Sequence, residues 1–145
     1  MPIKDLQLRF AKPSGCPHLL IWDAPTEEDL RRLAWREGAD RISYRKDLLS
    51  RIDPNSRFLG LHHQFQDEIV AIERLCKRQA GCQPVVLLED LDCLITYLYV
   101  QSNSPITRFW EALFKLRHLE RILWIVLPSR ILIPAIWDER RILKL

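Results

Sequence analysis

The chain predicts an α/β protein, a three-layer α/β/α fold around a mostly parallel five-stranded sheet, and three observations carry that expectation. Continuous apolar runs at residues 18–22 (HLLIW), 85–88 (VVLL) and 122–127 (ILWIVL) are too short for buried helices and read as strands covered on both faces. Between these runs lie segments whose apolar residues recur at helical spacing, such as Phe65, Ile69, Ile72 and Cys76. Strands alternating with helices form crossover units, which bury a parallel sheet between two helical layers.

Each element follows in chain order. Ile3, Leu6, Leu8 and Phe10 alternate in part and predict a short edge strand, so residues 1–17 read as edge strand and linker, broken at Pro13-Ser14-Gly15. After the strand at 18–22, Asp23-Ala24-Pro25 turns the chain. Thr26 can then cap a helix, with Asp29 completing an imperfect capping box. Leu30, Leu33 and Ala34 form that helix's inner stripe, and Gly38 ends it. Residues 41–44 predict a second short strand, and 47–52 one or two helical turns stopped by Asp53-Pro54. A long helix is expected over 64–79, closed by Gly81. Ser104-Pro105 caps a further helix that carries Ile106, Trp110, Leu113, Phe114 and Leu116 to about His118. A terminal strand at 141–145 completes the sheet. Residues 95–100 (ITYLYV) fit either a helix packed on the sheet or an apolar surface for a partner. With no repeat, low-complexity tract or flexible linker, residues 1–145 read as one domain.

Composition narrows the classes. A chain of 145 residues, 48% hydrophobic and 28% charged, is long enough and apolar enough for one folded core. With 22 basic and 19 acidic residues, the net charge of +3 neither demands nor excludes nucleic acid. The basic pairs Arg31-Arg32, Lys77-Arg78 and Arg140-Arg141 read mainly as solvated helix faces. No run approaches the roughly 20 apolar residues that span a bilayer, and Lys4 and Asp5 interrupt any signal-peptide core. A cytoplasmic protein without a membrane partner is expected. Cys16, Cys76, Cys82 and Cys93 form no CxxC pair and read as reduced thiols rather than disulfides or a zinc site.

The most informative stretch is residues 85–94 (VVLLEDLDCL). Four apolar residues followed by Glu89, Asp90 and Asp92 describe a buried strand whose carboxylates emerge at its C-terminal end. That is the layout of the Mg²⁺ strand, Walker B, of P-loop ATPases. Over about residues 17–145 the order of parts resembles an AAA+ type P-loop ATPase core. In that family a phosphate-loop strand is followed by a second strand, an acid strand, a sensor strand and a closing strand. Residues 122–130 (ILWIVLPSR) are similar to the sensor strand, ending at Ser129, and residues 131–145 to the closing turn and strand. The resemblance implies that Arg140 or Arg141 stands where AAA+ neighbours reach each other's nucleotide site. Small P-loop proteins of BREX-type phage-defence loci are similar in length and layout.

The chain departs from that pattern at the phosphate site. A phosphate loop needs glycines, a lysine and a Ser/Thr to wrap the anion, whereas Asp23-Ala24-Pro25 alone joins strand to helix. Proline removes one of the needed donors. Glu27, Glu28 and Asp29 at the helix start suit its dipole and repel phosphate. The order Glu89-Asp90 inverts the family's aspartate–glutamate pair. No helical lid is expected after the last strand. The resemblance thus implies a pseudo-ATPase, not an enzyme: a non-catalytic protein-binding or scaffold subunit that docks on a protein partner or on its own copies, within a nucleic-acid-associated or defence assembly. No cofactor is expected. Two alternatives stay open: a Mg²⁺-dependent enzyme or switch on Glu89, Asp90 and Asp92, and direct nucleic-acid binding by the basic pairs.

Single residues add less. His62-His63 lacks metal partners at defined spacing. Ser129 lacks a nucleophile-elbow context. Asp23, Ser129 and Lys144 are faintly similar to a phosphorelay receiver set, although residues 131–140 are too proline-interrupted for that family's helix. Trp22, Trp110 and Trp124 fall in apolar stripes and read as core. Trp35, Trp137, Tyr97 and Tyr99, with Arg140 and Arg141, are the candidate interface, since aromatics and arginines dominate binding hot spots.

Overall fold

A computed structural model describes residues 2–52 and 64–145. Five strands, β1 (His18–Ile21), β2 (Ala39–Ser43), β3 (Val85–Glu89), β4 (Ile122–Leu127) and β5 (Ile142–Lys144), form one all-parallel sheet in the order β2-β3-β4-β1-β5. The helices are α1 (Glu27–Glu37), α2 (Tyr44–Arg51), α3 (Phe65–Leu75), α4 (Leu91–Tyr99) and α5 (Ile106–Phe114). The α/β class and its layers are those the sequence predicts.

Period-two side-chain alternation divides the core between two faces. Leu19, Ile21, Val86, Leu88, Ile125 and Leu127 join one cluster with residues of α3, α4 and α5. Their neighbours Leu20, Trp22, Val85, Leu87, Trp124 and Val126 join Leu30 and Leu33 of α1 in the other. The asymmetry follows from strand order. From β1 the chain jumps leftward across two strands to β2, then returns rightward through β3 and β4, so right-handed crossovers place α1 on one face and the later helices on the other.

The local stops act as expected at α1. Thr26 accepts a hydrogen bond from the Asp29 N–H at 3.0 Å. Gly38 ends the helix with φ +63°, a left-handed conformation that favours glycine. Other boundaries move. Ser43 caps α2, accepting from the Lys46 N–H, so the helix begins at Tyr44 rather than at Asp47. Helix α3 stops at Leu75, short of Gly81, and α5 stops at Phe114, short of His118.

The N-terminal segment is not an edge strand. Ile3–Asp5 and Leu8–Phe10 are short 3-10 turns that lie across the α1 face of the sheet, with Leu6 and Leu8 buried and Phe10 exposed. Its backbone finds side chains instead of a ladder. The Leu8 N–H donates to Glu37 Oε1 at 2.6 Å, Trp124 Nε1 donates to the Leu8 carbonyl at 2.9 Å, and Arg36 donates to the Ile3 carbonyl at 2.6 Å. One helix cannot cover a five-stranded face, and this strap completes the cover.

Buried charges brace the other layer. Glu68 accepts from the Tyr44 hydroxyl at 2.6 Å and from Arg51 at 2.8 and 3.2 Å, joining α2 to α3. Burial and the Glu68 carboxylate push the Tyr44 phenol well above its ordinary value. Arg121, also buried, donates to the Gln83 and Leu75 carbonyls and pairs with Asp40.

Candidate functional site

In a parallel sheet all strands end at one edge, and ligand sites form there where adjacent strands send the chain to opposite faces. Here that point lies between β1, which leads to α1, and β4, whose outgoing link packs Ile131 and Trp137 into the opposite core. A cleft of about 300 Å³ opens at this place, bounded by Ala24 and Pro25 after β1, by Pro128 after β4, and by Glu89, Asp90 and Asp92 after β3. The three acids singled out in the sequence therefore do converge on one recess.

Each acid already holds a donor from this chain. Glu89 receives Arg41 Nε at 2.7 Å and Nη2 at 2.9 Å. The same guanidinium grips Glu27 of α1 at 2.6 and 3.2 Å, so one arginine ties helix to acid strand. These two carboxylates hold the Arg41 proton more tightly than usual, and Arg41 in turn keeps Glu27 below the ordinary carboxylate range. Asp90 accepts from the Ser43 hydroxyl. Its φ of +69° is left-handed, a conformation Asp tolerates better than most residues. Asp92 receives Arg130 Nη2 at 3.0 Å.

Ser129 sits beside the same cleft and meets Asp23, which accepts its N–H at 2.8 Å and its hydroxyl at 2.7 Å. These bonds, the hydroxyl's foremost, lower the Asp23 pKa. Lys144 follows on the neighbouring strand, in register with Ile21. The turn Asp23-Ala24-Pro25 is as tight as the sequence requires, with Ala24 forced to φ +44°. Among the described residues no group of three His, Cys, Asp or Glu side chains is arranged to hold a metal ion. His62 and His63 lie outside the described residues. All four cysteines are free: Cys16 and Cys76 are buried, Cys82 is half-buried and Cys93 exposed. Burial pushes the Cys76 thiol up to about 12.

The candidate interface divides. Trp35 is 86% exposed and Tyr99 62%, while Tyr97 is half-buried. Trp137 and Arg141 correct the expectation, for both are only 3% exposed. Trp137 packs edge-on against Trp110 and Phe114, with ring centroids 5.6 and 5.5 Å away. The Arg141 guanidinium lies 4.5 Å from the Phe114 ring and 5.0 Å from Trp137, and its Nε donates to the Pro17 carbonyl. Burial lowers its pKa. Pro17 precedes β1, so Arg141 stands at the opposite end of the sheet from the acids. Arg140 is exposed and pairs with Asp138 at 2.9 Å.

Residues 91–99 form α4, whose Leu91, Leu94, Ile95 and Leu98 are buried while Tyr99 and the following Val100 face outward. The segment thus packs on the sheet and also presents an apolar surface. A second recess, an apolar groove of about 350 Å³, runs between α4, α5 and the β4–β5 link. Arg41, Ser43 and Arg130, the partners of the acids, carry no sequence signal, because they lie 48, 47 and 38 residues from the groups they bind.

Comparisons with protein-family models, with curated proteins and with solved structures found no match to this chain.

Proposed function

We propose that this chain is a non-catalytic protein-binding subunit on a degenerate P-loop NTPase-like fold. One observation carries the reading: at the cleft where the resemblance would place phosphate and Mg²⁺, every acid is taken by a donor of the same chain. The chain segments that resemble the phosphate-loop strand, the acid strand and the sensor strand end around that single cleft. An incoming Mg²⁺ at Glu89 would have to displace Arg41, which covers both carboxylate oxygens. An incoming phosphate would meet Glu27, Glu28 and Asp29 on α1, where an anion site needs bare N–H groups. What remains for function is surface: exposed Tyr99, Val100 and Leu132 supply apolar side chains on one face of the sheet, and Trp35 of α1 one on the other. Membership of a nucleic-acid-associated or defence assembly rests on the family resemblance alone.

Calorimetric titration with Mg·ATP tests the pseudo-ATPase part. No binding is expected, and affinity tighter than roughly 100 µM would overturn it. A pull-down of the tagged chain, repeated after nuclease treatment, tests the other part: a stoichiometric protein partner that survives nuclease is expected. Recovery of nucleic acid alone would replace the reading with direct nucleic-acid binding.

A further inference from the structure

We propose that the groove between α4, α5 and the β4–β5 link docks a short segment of a partner protein that carries large apolar side chains and one carboxylate, the carboxylate being read by Arg130. The inference rests on the protein-binding reading above and names the partner's chemistry.

The groove has a floor that belongs to the core and lips that do not. Ile95, Trp110 and Ile131 form the buried floor, while Tyr99 from α4 and Leu132 from the link, the latter 77% exposed, stand at its edges. Val100, next to Tyr99, is also exposed. Water on such apolar lips is unfavourable, so a side chain that displaces it gains binding energy. Size decides the kind of occupant. A recess of about 350 Å³ lies at the small end of ligand-binding cavities and takes a few side chains. A linear segment with two or three apolar anchors fits that space.

Charge decides the segment's chemistry. Among the lining residues Arg130 alone is charged. Its guanidinium is held by a single Asp92 oxygen at 3.0 Å and by Thr96 Oγ1 at 3.3 Å, and its side chain is largely exposed. The Arg130 side chain is 60% exposed and meets Asp92 and Thr96 through one N–H each, so its guanidinium has donors left for an incoming group. A carboxylate arriving along an apolar groove can instead accept two parallel N–H bonds from the guanidinium fork.

The test selects a displayed library of random peptides, roughly 12 residues long, on the full chain, and measures synthetic winners by fluorescence polarisation. Winners are expected to share large apolar residues and one Asp or Glu. Leu132→Asp and, at the opposite lip, Tyr99→Arg should each weaken them about 10-fold or more, and Arg130→Ala about 5-fold. Arg130→Glu should transfer the preference to peptides in which Lys replaces the acid. Both lips are solvent-exposed, and unchanged circular dichroism would confirm that the variants fold. No enrichment, equal binding to wild type and Leu132→Asp, or indifference to the acid would overturn the proposal. So would a wild-type dimer that Leu132→Asp dissociates in sedimentation, which would assign the groove to a second copy. A pulled-down protein that binds Leu132→Asp as well as wild type overturns the groove and leaves the protein-binding reading standing. Tight Mg·ATP binding with groove peptides still bound overturns the pseudo-ATPase reading alone.

Discussion

The acid cleft and the apolar groove differ in who satisfies them. At the acid cleft Glu89, Asp90 and Asp92, and Asp23 beside it, each hold a donor from their own chain, two of the donors being arginines. At the apolar groove Tyr99, Val100 and Leu132 face water. A carboxylate that loses its ligand can be re-paired by any basic or hydroxyl side chain within reach, so a polar site can be closed internally. An apolar lip has no such substitute, for only burial relieves it. The acid cleft is therefore filled from within, while the lips of the groove stay open. The two recesses also share a wall. Asp92 lines the cleft and Arg130 the groove, and their ion pair joins them.

The largest expected effect separates the groove's floor from its lips. Trp110 lies edge-on to Phe109 and Trp137 and is almost fully buried. Trp110→Ala should destabilise the fold by about 3–5 kcal/mol in urea denaturation, as expected for removing a core aromatic. Leu132→Asp at the lip should change stability by less than about 0.5 kcal/mol. Equal losses at the two positions would mean that lip and floor are one structural unit, and the contrast with the cleft would fail.

Next in size is the clamp that closes the cleft. Arg41 and Glu89 are each about three-quarters or more buried as side chains, and their contact is bidentate. Arg41→Ala leaves Glu89 without its cation in a half-closed site and should destabilise by about 1–3 kcal/mol, between the values of exposed and buried pairs. Wild-type melting temperature should not move with millimolar Mg²⁺. If Arg41→Ala proved as stable as wild type, the cleft would not depend on internal pairing, and the difference between the recesses would lose its basis.

Much of the frame was legible because its signals are local. The run VVLL followed by acids forms β3 with its carboxylates at the cleft, Thr26 and Gly38 bound α1, and the strands at 18–22 and 122–127 pair side by side. What the chain concealed depends on distant parts. Leu6 and Leu8 alternate like a strand, yet Glu37 and Trp124 capture the backbone around Leu8 from 29 and 116 residues away. Trp137 and Arg141 lie in a proline-broken link that looks exposed, but the aromatic faces of Trp110 and Phe114 draw both inside. Local composition cannot show a cation stacked on rings supplied by another helix. The acids were readable and their closure was not, since Arg41 and Arg130 belong to other elements.

A pH effect distinguishes the opposite end of the sheet from the cleft. His18 is buried against Trp124, with ring centroids 4.9 Å apart, and its Nε2 lies 2.9 Å from the Pro13 carbonyl. Burial lowers its pKa, the Pro13 carbonyl partly opposes this, and the Arg141 charge adds to the lowering. The folded chain thus favours neutral His18, while the unfolded chain takes up a proton near pH 6.5. Stability from this group is complete above that value and falls as pH drops toward the lower folded value. Thermal melts between pH 7 and 5 should show this loss, and His18→Gln should flatten it. A wild-type melting temperature constant over that range would overturn it.

The smallest effect probes the cleft itself. Asp23 owes its lowered pKa to the Ser129 hydroxyl first and the Ser129 N–H second, and both bonds favour the carboxylate. Ser129→Ala removes the first and keeps the second, so the Asp23 carboxyl should titrate closer to its ordinary value by NMR, without reaching it. Because the folded value is depressed, the stability this group contributes is present above the unfolded pKa and disappears as pH falls through the folded one. That loss sets in only below the ordinary Asp value of about 3.9, whereas the His18 loss sets in near pH 6.5, so the two begin at different pH. If Asp23 titrated identically in Ser129→Ala, the hydroxyl would not be its partner in solution. Asp23, beside the cleft, would then keep only the Ser129 N–H, and the contrast between a closed polar recess and an open apolar one would narrow at that corner first.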